Sequence, residues 1–157
     1  MSVTQQLVRL NTEEFKKYLE ADEFDGVLSY DGVEKIRYLD LGWDASFFRK
    51  LLMRSDDNHD LCKLLEGMHR LEFDCDVAEQ PLYLTAEEVN NLVEEAEKID
   101  VTSVLELAPK DVEDLNSLLK SDYVEYPDEI FRDTWAALLD FYKFAKSEGQ
   151  LVVNWWD

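Results

Sequence analysis

The segment from Ile130 to Trp156 limits the architectures open to this chain more than any other. Phe131, Trp135, Leu138, Tyr142 and Ala145 recur at spacings of four, three, four and three, the pattern of one buried helical stripe. Ile130, Ala137, Phe141 and Phe144 widen that stripe. Gly149 stands where a helix C-cap belongs, and the QLVVNWW that follows, rich in β-branched and aromatic residues, reads as a strand. A long core helix that feeds a strand of this kind needs a sheet to receive it. Residues 3–10, VTQQLVRL, are compatible with a strand at the other end of the chain, although their apolar alternation is imperfect. The expected fold class is therefore mixed α/β (α+β). It is a helix-rich single domain over residues 1–157, with a small mixed sheet containing the N-terminal and C-terminal strands under a cover of helices.

The intervening chain fills in the helices. Asn11 precedes Glu14 by three residues, a capping-box start for TEEFKKYLEAD, in which Phe15, Tyr18 and Leu19 face inward. An acidic stretch, EADEFDGVLSYD, leads to the short extended segment KIRYLDL. Trp43 opens WDASFFRKLLMR, whose Phe47, Phe48, Leu51 and Leu52 make a wide apolar face. After the loop-like SDDNHD, helical periodicity resumes in LCKLLEGMHRLEF through Leu61, Leu64, Leu65, Met68 and Leu71. Pro81 in EQPLYLT suits an edge strand or the first residue of one, because proline donates nothing to a ladder. Thr85 with Glu88 gives the clearest capping box, launching TAEEVNNLVEEAEKI. Asp100 to Leu107 forms a further short turn, and Pro109 is placed to begin a helix through Val112, Leu115, Leu118 and Leu119. No repeat, low-complexity tract or linker divides the chain.

Charge restricts the partners. The chain carries 36 Asp and Glu against 16 Lys and Arg, a formal net charge of −20. Such a field repels nucleic acid and anionic membranes and speeds encounter with a basic protein. The opening MSVTQQLVRLN has no basic stretch followed by an apolar run, and no segment approaches the roughly 18 to 20 apolar residues of a membrane span, so a cytoplasmic location is expected. Cys62 and Cys75 fit that compartment as free thiols; in an exported protein they could form a bridge.

Several segments, in order along most of the chain, resemble the bacterial DUF1877 (YfbM-like) family. They are VTQQLVRLNTEEF, YLDLGW with its following helix, YLTAEEVNNLVEEAEKI, YPDEIF and YKFAKSEGQLVVNWWD. The resemblance implies a compact α/β domain and brings no established activity with it. Where family members read LDLDKAWH before an apolar LL, this chain reads LDLGWDASFFRKLL, shortened and without the histidine, so no role of that histidine carries over. In size and acidity the chain is also similar to immunity proteins that neutralise bacterial toxins, an analogy rather than a shared motif.

The chemical constellations are sparse. His59, Cys62, His69 and Cys75 share one window, but their spacing is not a standard zinc pattern. A helical wheel brings only Cys62 and His69 together, leaving them as weak metal candidates. Paired carboxylates abound, as Asp22 with Glu23, Asp56 with Asp57, Glu87 with Glu88 and Glu94 with Glu95, but solvated helix faces generate such pairs without catalysis. No nucleophile with a histidine partner, Gly-rich phosphate loop or metal triad is present, so no catalytic residue and no cofactor are expected. Trp43 and Trp135 lie on core stripes, whereas adjacent Trp155 and Trp156 must face opposite sides of a strand, which would leave one exposed or packed beneath a helix. The leading expectation is a non-enzymatic, acidic protein-binding module, in the form of an immunity-type inhibitor of a basic toxin. Its expected contact residues are Glu20, Asp22, Glu23, Asp25, Asp56, Asp57 and Asp60. The alternatives are an enzyme using carboxylates in a cleft and a DNA mimic.

Overall fold

The computed structural model describes residues 4–42, 44–72, 79–107 and 127–157. Its strands are β1 (Gln5–Leu10), β2 (Tyr38–Gly42), β3 (His69–Arg70), β4 (Leu82–Leu84) and β5 (Leu151–Trp156). They form one sheet in the order β2-β1-β5-β4-β3, so the two strands nearest the chain ends lie side by side near its middle. The expected helix-rich α+β fold, with a small sheet holding both of those strands, is what the chain adopts. The sheet is antiparallel rather than mixed in every described pairing, because the connections from β1 to β2, β3 to β4 and β4 to β5 each return the chain to the end of the sheet it left.

Both faces of the sheet are covered, which explains the imperfect alternation in VTQQLVRL. All six residues of β1 are buried. Leu7 and Val152 face one side, while Val8, Leu10, Leu151, Val153 and Trp155 face the other. The second side is closed by α1 (Thr12–Glu20) and α2 (Phe24–Leu28), through Phe15, Phe24, Val27 and Leu28. The first side takes α3 (Asp44–Met53), a 3-10 turn (His59–Cys62), α4 (Lys63–Glu66), α5 (Ala86–Ala96), α6 (Val101–Leu105) and α7 (Pro127–Ser147). No helix among the described residues is long and apolar enough to cross a membrane.

Both expected capping boxes form. Asn11 Oδ1 accepts from the Glu14 N–H at 2.8 Å while Glu14 accepts from the Asn11 N–H at 3.1 Å. Thr85 and Glu88 make the same reciprocal pair at 3.3 and 2.8 Å. The α3 face of Phe47, Phe48, Leu51 and Leu52 is buried, as is the α7 stripe of Phe131, Trp135, Leu138, Tyr142 and Ala145. Gly149 ends that helix region with φ +63.

Three readings of the sequence need correction. The periodicity through LCKLLEGMHRLEF is not one helix: α4 stops at Glu66, Gly67 turns left-handed at φ +73, and His69–Arg70 is a strand. Met68 is consequently exposed. In α7, Ala137 and Phe144 lie off the buried stripe, because at 3.6 residues per turn Phe144 stands about 200° around from Tyr142. Phe144 is 48% exposed, and its ring lies 4.0 Å beneath the guanidinium of buried Arg9. Arg9 also donates to Gln150 Oε1 at 2.9 Å and to the Ile36 carbonyl at 3.3 Å. Finally, the acidic stretch contains a short helix, α2. Trp43, Cys75 and the helix expected from Pro109 lie outside the described residues.

Candidate functional site

The acidic face is built by two helix endings. At the end of α1 the Asp22 N–H donates to the Leu19 carbonyl at 3.4 Å and the Glu23 N–H to the Tyr18 carbonyl at 3.1 Å, with Asp22 left-handed at φ 55. This is a Schellman ending with an aspartate at the position that glycine usually fills. After α2 the pattern repeats: Tyr30 N–H donates to Val27 at 3.2 Å and Asp31 N–H to Gly26 at 3.0 Å, with Tyr30 at φ 66. Tyr30 is held there against Tyr38 and Trp155, with ring centroids 5.3 and 6.0 Å away. Burial, then the nearby Asp157 and Asp40 carboxylates, push its phenol up to about 12. Gly32 closes the turn where only glycine fits, since a Cβ there would lie 2.7 Å from Val27 Cα.

Between these endings Phe24, Val27 and Leu28 are buried, and Asp25 among them is exposed. Glu20, Asp22, Glu23, Asp25, Asp31 and Glu34 are all exposed, and no Lys or Arg interrupts residues 20–34. None of the six has an ion-pair partner among the described residues. Ile36, 75% exposed, stands just beyond them. Asp56, Asp57 and Asp60 are exposed too, and Asp60 pairs with Lys63 at 3.3 Å. Asp56 and Asp57 precede, and Asp60 lies within, the 3-10 turn that packs on the opposite side of the sheet from α2, so the structure does not bring the two predicted groups together.

The weak metal candidates also separate. Cys62 is a free, buried thiol in the 3-10 turn; burial and then Glu66 push its pKa up to about 11, unfavourable for a thiolate ligand. His69, on β3, bonds Glu88 through Nε2 at 2.6 Å. The helical wheel that joined them fails because Gly67 ends the helix between them. Among the described residues, no group of three or more His, Cys, Asp or Glu side chains is placed to hold a metal ion. Of the paired acids, Glu94 and Glu95 contact Lys146 and Lys98 at 3.5 and 3.2 Å on the helix surface, whereas Glu88 serves its capping box. Trp135 is core, Trp155 is 1% exposed beneath the α2 side, and half-buried Trp156 packs against the other cluster.

Sequence reasoning missed a cleft of about 440 Å³ at one end of the sheet, on the α3 and α4 side. Its floor includes Gln5 on β1 and Asn154 on β5, and its walls include Arg49, Glu66, Gly67 and half-buried Trp156. Gln5 is 1% and Asn154 4% exposed. Gln5 Nε2 donates to the Leu65 carbonyl, but Gln5 Oε1 and Asn154 Nδ2 have no hydrogen-bond partner. Arg49 and Glu66 form an ion pair at the wall, both partly exposed. The strand pattern read Gln5 and Asn154 only as interruptions; nothing in the sequence shows that they converge.

No family model matches the chain, and no curated protein matches it by sequence. Among solved structures, it is similar to the crystal structure of YfbM from Escherichia coli, a protein of unknown function. The identity is 16%, the superposition covers 98% of this chain and 99% of that one, and the TM-score is 0.72. At that identity the likeness is one of fold, and the fold of this chain is YfbM-like.

Proposed function

We propose that this chain is a cytoplasmic, non-enzymatic member of the DUF1877 family that binds a basic protein through its acidic face, and that the partner is a toxin it neutralises. The observation that carries this reading is the uninterrupted set of six exposed carboxylates over residues 20–34. Unpaired carboxylates at one surface raise the encounter rate with a basic partner and make binding salt-sensitive. Ile36 beside them supplies an apolar anchor of the kind that carries binding strength at the centre of an interface. Asp56, Asp57 and Asp60, on the other side of the sheet, belong to a separate surface and contribute through the long-range field.

Affinity capture from a bacterial lysate, eluted with a salt gradient, tests it. The expected result is one basic protein released sharply at moderate salt. Reversing Glu20, Asp22, Glu23 and Asp25 to lysine should weaken its capture at least about tenfold, and reversing Asp56, Asp57 and Asp60 should cost less. Failure to capture any basic protein, or capture indifferent to the first set of reversals, overturns the proposal.

A further inference from the structure

We propose that the cleft at the sheet end binds a small neutral molecule through a cis-amide edge, the adjacent N–H donor and C=O acceptor of a primary carboxamide or a nucleobase lactam. Its volume of about 440 Å³ falls in the range of small-molecule sites, roughly 300–1,000 Å³. Two buried polar atoms with opposite hydrogen-bonding character belong to residues that line it: the acceptor Gln5 Oε1 and the donor Asn154 Nδ2. Gln5 cannot turn its oxygen away cheaply, because its Nε2 is committed to the Leu65 carbonyl. Leu7 pairs with Asn154 and Gln5 with Trp156, so Gln5 and Asn154 are diagonal neighbours on one face of adjacent strands. Two buried polar atoms without a protein partner carry a desolvation cost, which a ligand with matching donor and acceptor removes.

The surrounding wall supports the same class. Gly67 has φ +73, and a Cβ on it would come within 2.8 Å of Asn154 Nδ2 and of Leu82 Cβ, so the glycine keeps the chain close over the amide. The one cation in the wall among the described residues, Arg49, is already neutralised by Glu66, and the chain as a whole carries −20, so an anionic ligand is disfavoured. Trp156 adds apolar area for a flat molecule. This site is independent of the acidic face and stands whether or not that face has a partner.

Nuclear magnetic resonance of the side-chain amides of Gln5 and Asn154 tests the assignment during titration with nicotinamide, uracil, N-methylacetamide and benzoate. Nicotinamide and uracil distinguish the two sources of a cis-amide edge. N-methylacetamide holds its donor and acceptor on opposite sides, and benzoate has no amide. Saturable shifts with nicotinamide or uracil, at least about tenfold tighter than with either control, are expected. Asn154→Leu should abolish them; should that variant not fold, Ser46→Trp, at an exposed position on the cleft wall, should weaken binding by a similar factor. No response to nicotinamide or uracil, a response matched by N-methylacetamide or benzoate, or binding untouched by Ser46→Trp each overturns the proposal.

Discussion

Glu88 shows how much one side chain can be asked to do. Its carboxylate accepts from the Thr85 N–H at 2.8 Å to cap α5 and meets the His69 ring at 2.6 Å, which ties β3 to that helix. Burial works to raise its pKa, but the Thr85 backbone N–H and the His69 ring outweigh it and hold the carboxyl below its ordinary 4.5. Glu14 follows the same logic: burial opposes, while Arg37 at 2.6 Å and the Asn11 N–H prevail. A carboxyl whose folded-state pKa is depressed stabilises the fold above its unfolded value, and that contribution is lost as pH falls through the folded-state value. Glu88→Gln should therefore lower stability near neutral pH by roughly 0.5–1 kcal/mol and flatten the acid limb of the stability curve. Urea unfolding at neutral pH and well below the ordinary carboxylate range checks this; an undiminished acid limb in the variant would assign the sensitivity to other groups.

At the level of elements, α7 is anchored by more than its apolar stripe. Tyr142, completely buried, donates its hydroxyl at 2.6 Å to the carbonyl of Leu64, in a single-turn helix too short to satisfy its own carbonyls. Tyr142→Phe keeps the shape but strands that acceptor, so the unfolding midpoint should drop by an equivalent of about 1–3 kcal/mol with the denaturant slope unchanged. An unaltered midpoint would show that the carbonyl finds another partner. The elements legible in the sequence were those whose signals are local: the reciprocal caps at Asn11 and Thr85, the stripe from Phe131 to Ala145 and the terminal β-branched run. The illegible ones depended on a backbone conformation or a distant neighbour. Leu64, Leu65, Met68 and Leu71 keep helical spacing across Gly67, and only its left-handed φ breaks the helix. FDGVL is too short, and its Gly26 too unfavourable, to announce α2. The six carboxylates of 20–34 could be read as charged, but their exposure is seen only once α1, α2 and their two endings are placed, Asp25 alone lying within α2. The cleft needed β1, β5 and α4 to meet, a matter of topology.

For the whole molecule, self-repulsion governs the response to salt. A net charge of −20 on one compact body destabilises it relative to the expanded chain, and added salt screens that repulsion over about 8 Å at physiological strength. Raising sodium chloride from low to physiological levels should therefore stabilise the fold by about 1 kcal/mol, roughly 2–4 °C in Tm for a chain of this size. A Tm that falls would mean the surface ion pairs, such as Lys98 with Glu95, outweigh the repulsion. The position of β5 has a consequence for how the protein is made. Among the described residues, the strands that precede β5 pair as β1 with β2 and β3 with β4, two fragments of sheet that β5 joins. Elongation on the ribosome thus leaves both fragments with open edges until Leu151 to Trp156 have left the exit tunnel. Completion of the sheet therefore waits on β5, and until it pairs the open edges are the ones exposed to wrong partners.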